Sequence, residues 1–210
     1  MSFYEKHIFP KLTDLFLGNP RLNSQRGKAL AMAKGAVLEI GFATGLNLPF
    51  YPAAVTSLLA LDPSETAYKL ARTRIQNAPF PVRHIPKTCE HAQLSANTFD
   101  SIVTTWTLCT VKDPLAVLMQ ARNVLKPGGV FLFLEHGRSF STGTRFLQDR
   151  WNPIHRRLCA GCNINRPIDL IIRQAGFDII CLETFKLFPP EMFFATYRGV
   201  AVFRKPPSNS

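Results

Sequence analysis

Apolar runs closed by turn signals set the frame of the chain. Ala36 to Ile40, Val55 to Leu61, Ser101 to Thr105 and Val130 to Leu134 read as buried strands, with a short one at Val82 to Ile85. Continuous apolar runs of this length are the mark of strands covered on both faces. Between them the period lengthens. Pro63 sits at the start of a helix over Ser64 to Ile75, with Ala67, Leu70, Ala71 and Ile75 on one side. Asp113-Pro114 opens another, carrying Leu115, Leu118, Met119 and Leu125, until Lys126-Pro127-Gly128-Gly129 stops it. Past the fifth strand come a basic, aromatic segment (Arg145 to Cys159), a helix from Pro167 to Ala175 ended by Gly176, and a strand from Phe177 to Glu183. Phe193 to Phe203 alternates as a last strand, antiparallel to its neighbours. Ahead of everything, Phe3, Ile8, Leu12, Leu15 and Phe16 recur at helical spacing.

Strands alternating with helices predict an α/β protein: a seven-stranded, mostly parallel sheet with helices on both faces and a small cap. The expected division of residues 1–210 is a single domain. It comprises an N-terminal cap segment (1–34), a ligand-binding core (35–135), a cap with connecting helices (136–176), C-terminal strands (177–204) and a frayed tail (205–210).

Composition narrows the field. The 210 residues are 46% hydrophobic and 19% charged, enough to bury a core and unlike a disordered chain. No apolar stretch reaches the ~18 residues of a membrane span, and the start lacks a signal-peptide pattern, so a cytosolic protein is expected. The net charge is +11, with +4 in residues 1–34 and +5 in residues 138–166. Such a surface suits anionic partners or a peripheral bilayer contact, and equally a plain solvated face. Five cysteines without an export signal are expected to be reduced. Cys159 and Cys162 form one C-x-x-C with His155 a helical turn upstream, but structural zinc needs four ligands and no second pair follows, so no metal site is expected.

The chemistry of such a sheet lies at the carboxyl ends of its strands. The first exit reads Glu39-Ile40-Gly41-Phe42-Ala43-Thr44-Gly45-Leu46-Asn47, a small-residue turn that lets backbone pass beneath a ligand before a helix begins. Asp62 ends the second strand, 62 − 41 = 21 positions after Gly41, where a carboxylate accepts from both hydroxyls of a ribose. An adenosine-containing cofactor follows. A dinucleotide fingerprint would require glycine at position 46, which is Leu.

The turn resembles the E-x-G-x-G-x-G motif of class I S-adenosylmethionine-dependent methyltransferases, with Ala43 at the middle glycine. Phe99-Asp100 entering the fourth strand and Leu125-Lys126-Pro127-Gly128-Gly129 entering the fifth are similar to that superfamily too, so the resemblance spans residues 35 to 135. It implies a Rossmann-like fold and S-adenosylmethionine as cofactor, leaving as S-adenosylhomocysteine. It places Glu39, Gly41, Ala43, Gly45, Asn47, Asp62, Pro63, Cys89, Glu90 and Thr105 at the cofactor, with Thr88, Cys89 and Glu90 beside the adenine. A plain exposed loop acid is an equal reading of Glu90. Glu135-His136-Gly137-Arg138, Gly161-Cys162-Asn163-Ile164-Asn165-Arg166-Pro167 and Thr105-Trp106-Thr107-Leu108-Cys109 look like a bacterial group of small methyltransferases. That group is related to microsomal proteins that methylate alkyl thiols, although no counterpart of their hydrophobic N-terminal anchor is expected here. Weaker similarity reaches quinone-biosynthesis and phosphatidylethanolamine methyltransferases, so the fold alone leaves the acceptor open.

His136 is the candidate base, since an imidazole titrates near neutral pH, though it could equally fix its loop. Glu135 would orient His136 or anchor the cap. Trp106 and Cys109 would line the acceptor side by position, with Arg138, Cys162 and Arg166 as further substrate contacts and Asn165 capping the next helix. The expected function is methyl transfer to a small-molecule acceptor, a thiol or another hydrophobic compound, with a phospholipid or quinone as alternative. An NAD-dependent oxidoreductase fits less well, and an RNA methyltransferase lacks its Pro-Pro-Tyr or Pro-Pro-Phe motif, so nucleic acid is not an expected partner.

Overall fold

The computed structural model describes residues 9–203; Phe3, Ile8 and the tail from Lys205 lie outside them. Seven strands form one sheet: β1 (Gly35–Ile40), β2 (Val55–Leu61), β3 (Val82–Ile85), β4 (Phe99–Thr105), β5 (Leu125–His136), β6 (Asp178–Lys186) and β7 (Ala195–Val202), in the order β3-β2-β1-β4-β5-β7-β6. The first five run parallel, and β7 lies between β5 and β6, antiparallel to both. Strand order reverses between β1 and β4, so their exits open side by side and leave a crevice.

Alternation along the strands builds two cores. Leu38, Ile40, Ile102, Phe131 and Phe133 face α5 (Pro114–Val124) and α7 (Ile168–Gln174) through Val117, Leu118, Ala121, Ile168 and Ile172. Their neighbours Val37, Val103 and Leu132 face the other way, onto Leu30 of α2 (Pro20–Leu30), Leu48, Tyr51 and Phe80. Helices thus cover both faces. Asp113 caps α5 by accepting from the Ala116 amide at 3.0 Å, with Pro114 in the first turn.

Three expected elements change shape. No α-helix follows the β1 turn; Leu48–Phe50 is a single 3₁₀ turn, and Pro52 would break any longer helix. The helix expected over Ser64 to Ile75 divides at Ala71 into α3 (Glu65–Leu70) and α4 (Arg72–Gln76). There the Ala71 amide is shared between the carbonyls of Ala67 and Tyr68, which tightens the turn. The last strand starts at Ala195 because Phe193 and Phe194 coil into α8 (Glu191–Phe194) and join Phe16 and Phe188 in an aromatic group.

The basic segment is a helix, α6 (Thr142–Leu158), and its faces are inverted. Gln148 is fully buried and Asn152 and His155 half-buried, whereas Leu147, Trp151, Ile154 and Leu158, one stripe at helical spacing, are exposed. The first helix, α1 (Phe9–Leu17), likewise exposes Leu12, Leu15 and Phe16. No helix among the described residues is long and apolar enough to cross a membrane.

Candidate active site

A cavity of about 1240 Å³ lies at the exits of β1, β2, β4 and β5. It exceeds the ~300–1,000 Å³ of an ordinary small-molecule pocket and so has room for a cofactor and an acceptor together. At one end it is lined by Gly41, Ala43, Thr44, Asp62, Pro63, Thr88, Cys89, Glu90 and Thr105, and at the other by Trp106, Cys109, His136, His155 and Cys162. Phe16, Leu187, Phe193 and Phe194 form an apolar wall.

The cofactor end is organised around Asp62. Its Oδ2 accepts from the Ala43 amide at 2.9 Å and its Oδ1 from the Ser64 amide at 2.8 Å, fixing the carboxylate while leaving each oxygen a free acceptor site. Burial raises its pKa against these bonds. The His84 ring contacts the Asp62 carbonyl at 2.8 Å and is stacked on Tyr68, which holds this exit rigid. Gly41, with φ +78°, could not be any other residue: a Cβ there would lie 2.1 Å from Thr107 Oγ1. Ala43 adopts φ +47°, a left-handed conformation that costs an alanine ~1–2 kcal/mol and is normally left to glycine. Cys89 is buried and its thiol is pushed up to about 12, so it stays neutral beside Leu61 and Ala67 as an apolar wall suited to a flat base. A fixed acid with spare acceptor sites, a close backbone turn and this wall fit an adenosyl group.

Glu39, Gly45 and Asn47, expected at the cofactor, lie outside the cavity. Glu39 is buried beneath the turn, where Oε1 accepts from Asn47 Nδ2 and Oε2 from the Tyr51 hydroxyl, both at 2.8 Å. Asn47 also donates to Thr105 Oγ1 at 3.0 Å and accepts from Arg26 Nη1 at 2.7 Å. Gly45 is buried against Phe42, Leu48 and Ala71. These groups hold the turn from below. Arg26 was not among the sequence candidates: it is buried, and its guanidinium lies 4.7 Å from the Trp106 ring centroid. Burial draws its pKa down to about 10, so it remains a cation at neutral pH.

Burial raises the Glu39 carboxyl from 4.5 to about 7. A carboxyl that holds its proton more tightly folded than unfolded destabilises the fold as pH rises through that window. At ~1.36 kcal/mol per unit, Glu39→Gln should gain about 3 kcal/mol on the parent between pH 4.5 and 7. Urea unfolding of both proteins across a pH series checks this; parallel curves would mean that Glu39 ionises normally.

At the acceptor end, Trp106 adopts φ +50°, and its amide donates to the Leu134 carbonyl at 2.8 Å. Glu135 is fully buried under this loop and accepts from the Thr107 amide at 3.1 Å, so it anchors the β4 exit; burial pushes it up to about 7. His136 is buried, with Nδ1 3.5 Å from Cys162 Sγ and Nε2 without a hydrogen-bond partner. The Cys109 thiol is raised well above its ordinary value, first by its hydrogen bond with Cys162 and then by burial.

Arg138 and Arg166, expected at the substrate, do not line the cavity. Arg138 pairs with Asp149 at 2.8 Å on the surface. Arg166 is turned beneath the loop after β4, donating to the carbonyls of Leu108 and Val111. Asn165 donates to Asp149 at 2.8 Å instead of capping α7.

Residues 38–133 match the family described as methyltransferase domain. The chain is 28% identical over 192 residues to the human thiol S-methyltransferase TMT1B, covering 85% of this chain and 78% of that one. It is 28% identical over 104 residues to the phosphatidylethanolamine N-methyltransferase of Cereibacter sphaeroides, covering 49% of this chain and 51% of that one. Among solved structures, a SAM-dependent methyltransferase of Methanosarcina mazei superposes with a TM-score of 0.64 at 15% identity, covering 84% and 97% of the two chains. The fold is Rossmann-like, and the chain is a class I S-adenosylmethionine-dependent methyltransferase.

Proposed function

We propose that the protein methylates the sulfur of a small, hydrophobic thiol. The observation that carries this reading is the acceptor end of the cavity, where an apolar wall leads to a buried imidazole whose Nε2 has no partner. The similarity to a thiol S-methyltransferase supports it. S-adenosylmethionine supplies a methyl group on a sulfonium sulfur, already activated for in-line displacement. Asp62 would hold the ribose hydroxyls, Cys89 and Glu90 would border the adenine, and the Gly41–Ala43 backbone would run beneath the amino acid portion. Trp106 and the Phe16, Phe193 and Phe194 wall exclude water and aim the acceptor along the transfer axis, where alignment supplies much of the rate. His136 Nε2 accepts the acceptor's proton. A thiol, with a pKa near ~8.5, asks little of this base.

A bilayer-facing role of the cap accompanies this reading. The exposed stripe of α6 is bordered by Arg150 and Arg157, the pattern of a helix lying in an anionic interface, where a hydrophobic acceptor would concentrate.

The test is transfer of labelled methyl to alkyl thiols, phospholipid vesicles and RNA in parallel, with the vesicles sedimented to score bound protein. Label in the thiol fraction and protein on anionic vesicles are expected. Label confined to lipid would favour the phospholipid alternative, and label in RNA would overturn the small-molecule reading.

A further inference from the structure

We infer that Cys109, His136 and Cys162 form a binding site for a soft divalent cation, zinc by preference, on the floor of the cavity. One donor atom from each lies within 4.8 Å of the other two. They come from three separate segments: the loop after β4, the end of β5 and the loop after α6. The backbone brings them together without any ion. The amide and the Nδ2 of Asn163 donate to the Cys109 carbonyl at 2.8 and 3.1 Å, tying the two loops, and His155 Nδ1 contacts the Cys162 carbonyl at 3.1 Å.

The spacing suits a tetrahedral ion. With Zn–S near 2.3 Å and Zn–N near 2.0–2.1 Å, the edge between a sulfur and a nitrogen ligand is about 3.6 Å. The observed distance from Cys162 Sγ to His136 Nδ1 is 3.5 Å. Two thiolates and an imidazole select zinc over hard cations, and three protein ligands leave the fourth position open, as in catalytic zinc sites of the Cys₂His type. That position faces the cavity, since all three residues line it. The C-x-x-C spacing pointed to Cys159 as the partner of Cys162; the fold instead supplies Cys109 and His136.

The use of the open position rests on the thiol reading above. The two cysteines release their protons on binding the ion. The acceptor thiol takes the fourth position and releases its proton to solvent. Its sulfur then attacks the methyl carbon, the bond from that carbon to the sulfonium breaks, and the electron pair stays on S-adenosylhomocysteine. The thioether formed is a weaker ligand and leaves. With the ion bound at Nδ1, the cation replaces the imidazole as the group that ionises the thiol.

The test is titration of the full-length, untagged chain with Co²⁺ and Zn²⁺ after chelation, kept reduced with a phosphine. One ion per chain and a sulfur-to-cobalt charge-transfer band are expected. Cys162→Ser and His136→Ala should each weaken binding at least ~10- to 100-fold, the cost of losing even an outer-shell partner. Cys159→Ser and Cys181→Ser should leave it unchanged. S-adenosylmethionine titration of each variant reports that it has folded. Absence of stoichiometric binding, a band that survives Cys162→Ser, or one abolished by Cys159→Ser would overturn the site. Thiol methylation by a chain that binds no metal would overturn it while leaving the proposed function standing. Stoichiometric metal without methyl on any thiol would support the site and remove the thiol reading.

Discussion

Changing Asp62 to Ala should weaken S-adenosylmethionine binding by at least ~100-fold. Hydrogen bonds to a charged group are each worth ~1.5–3 kcal/mol, and a carboxylate facing a ribose makes two, while each tenfold in affinity needs ~1.4 kcal/mol. The loss extends further because Asp62 also accepts from the Ala43 and Ser64 amides, and Ala43 is held in a left-handed conformation that it does not favour. Without the carboxylate that turn has less to hold it. Asp62→Asn retains one acceptor oxygen and should fall between the parent and the alanine variant. Calorimetric titration with the cofactor measures both, and a loss below tenfold for Asp62→Ala would mean that the acid is not the ribose ligand.

The second large effect is expected at Gln148, which does not line the cavity. Its side chain is fully buried, with Oε1 accepting from the Ser139 amide at 2.7 Å. Its Nε2 faces the carbonyls of Gly137, Ile164 and Met192 at 3.1, 2.8 and 3.0 Å. One amide thus joins the chain after β5, the loop after α6 and α8. Gln148→Ala orphans four backbone groups, each costing ~1–3 kcal/mol when buried without a partner. After partial relaxation and entry of water, unfolding should become easier by about 3–5 kcal/mol, and Tm should fall by about 10 °C at ~2–4 °C per kcal/mol. Urea unfolding and thermal melting check this. A change below about 1 kcal/mol would show that solvent replaces the side chain at little cost.

What could be read from the amino acids follows the range of the forces involved. The strands were legible because their apolar residues need only a partner layer, whichever it is, and Asp62 and Gly41 because a local turn geometry demands them. Arg26 and Gln148 were not: each looks like a surface residue until its partners, 21 positions away at Asn47 and up to 44 away at Met192, are known. The α6 stripe misleads in the opposite direction. Leu147, Trp151, Ile154 and Leu158 have the spacing of a core face, yet the helix buries its polar side, because that side satisfies the loops around it. Motif matching also named Glu39 and Asn47 without distinguishing groups that touch a ligand from groups that hold the turn beneath it.

The place of β7 has a consequence for the order in which the molecule is made. This strand comes last among the described elements but is not at the sheet's edge: it pairs with β5 along Val130–His136 on one side and with β6 on the other. A ribosome therefore releases β5 with one flank of its backbone unsatisfied and β6 with no neighbour at all. Both wait until Ala195–Val202 has left the exit tunnel. The half of the sheet that carries His136 closes only after synthesis of that strand, and until then the nascent chain offers an open strand edge that a chaperone can shield.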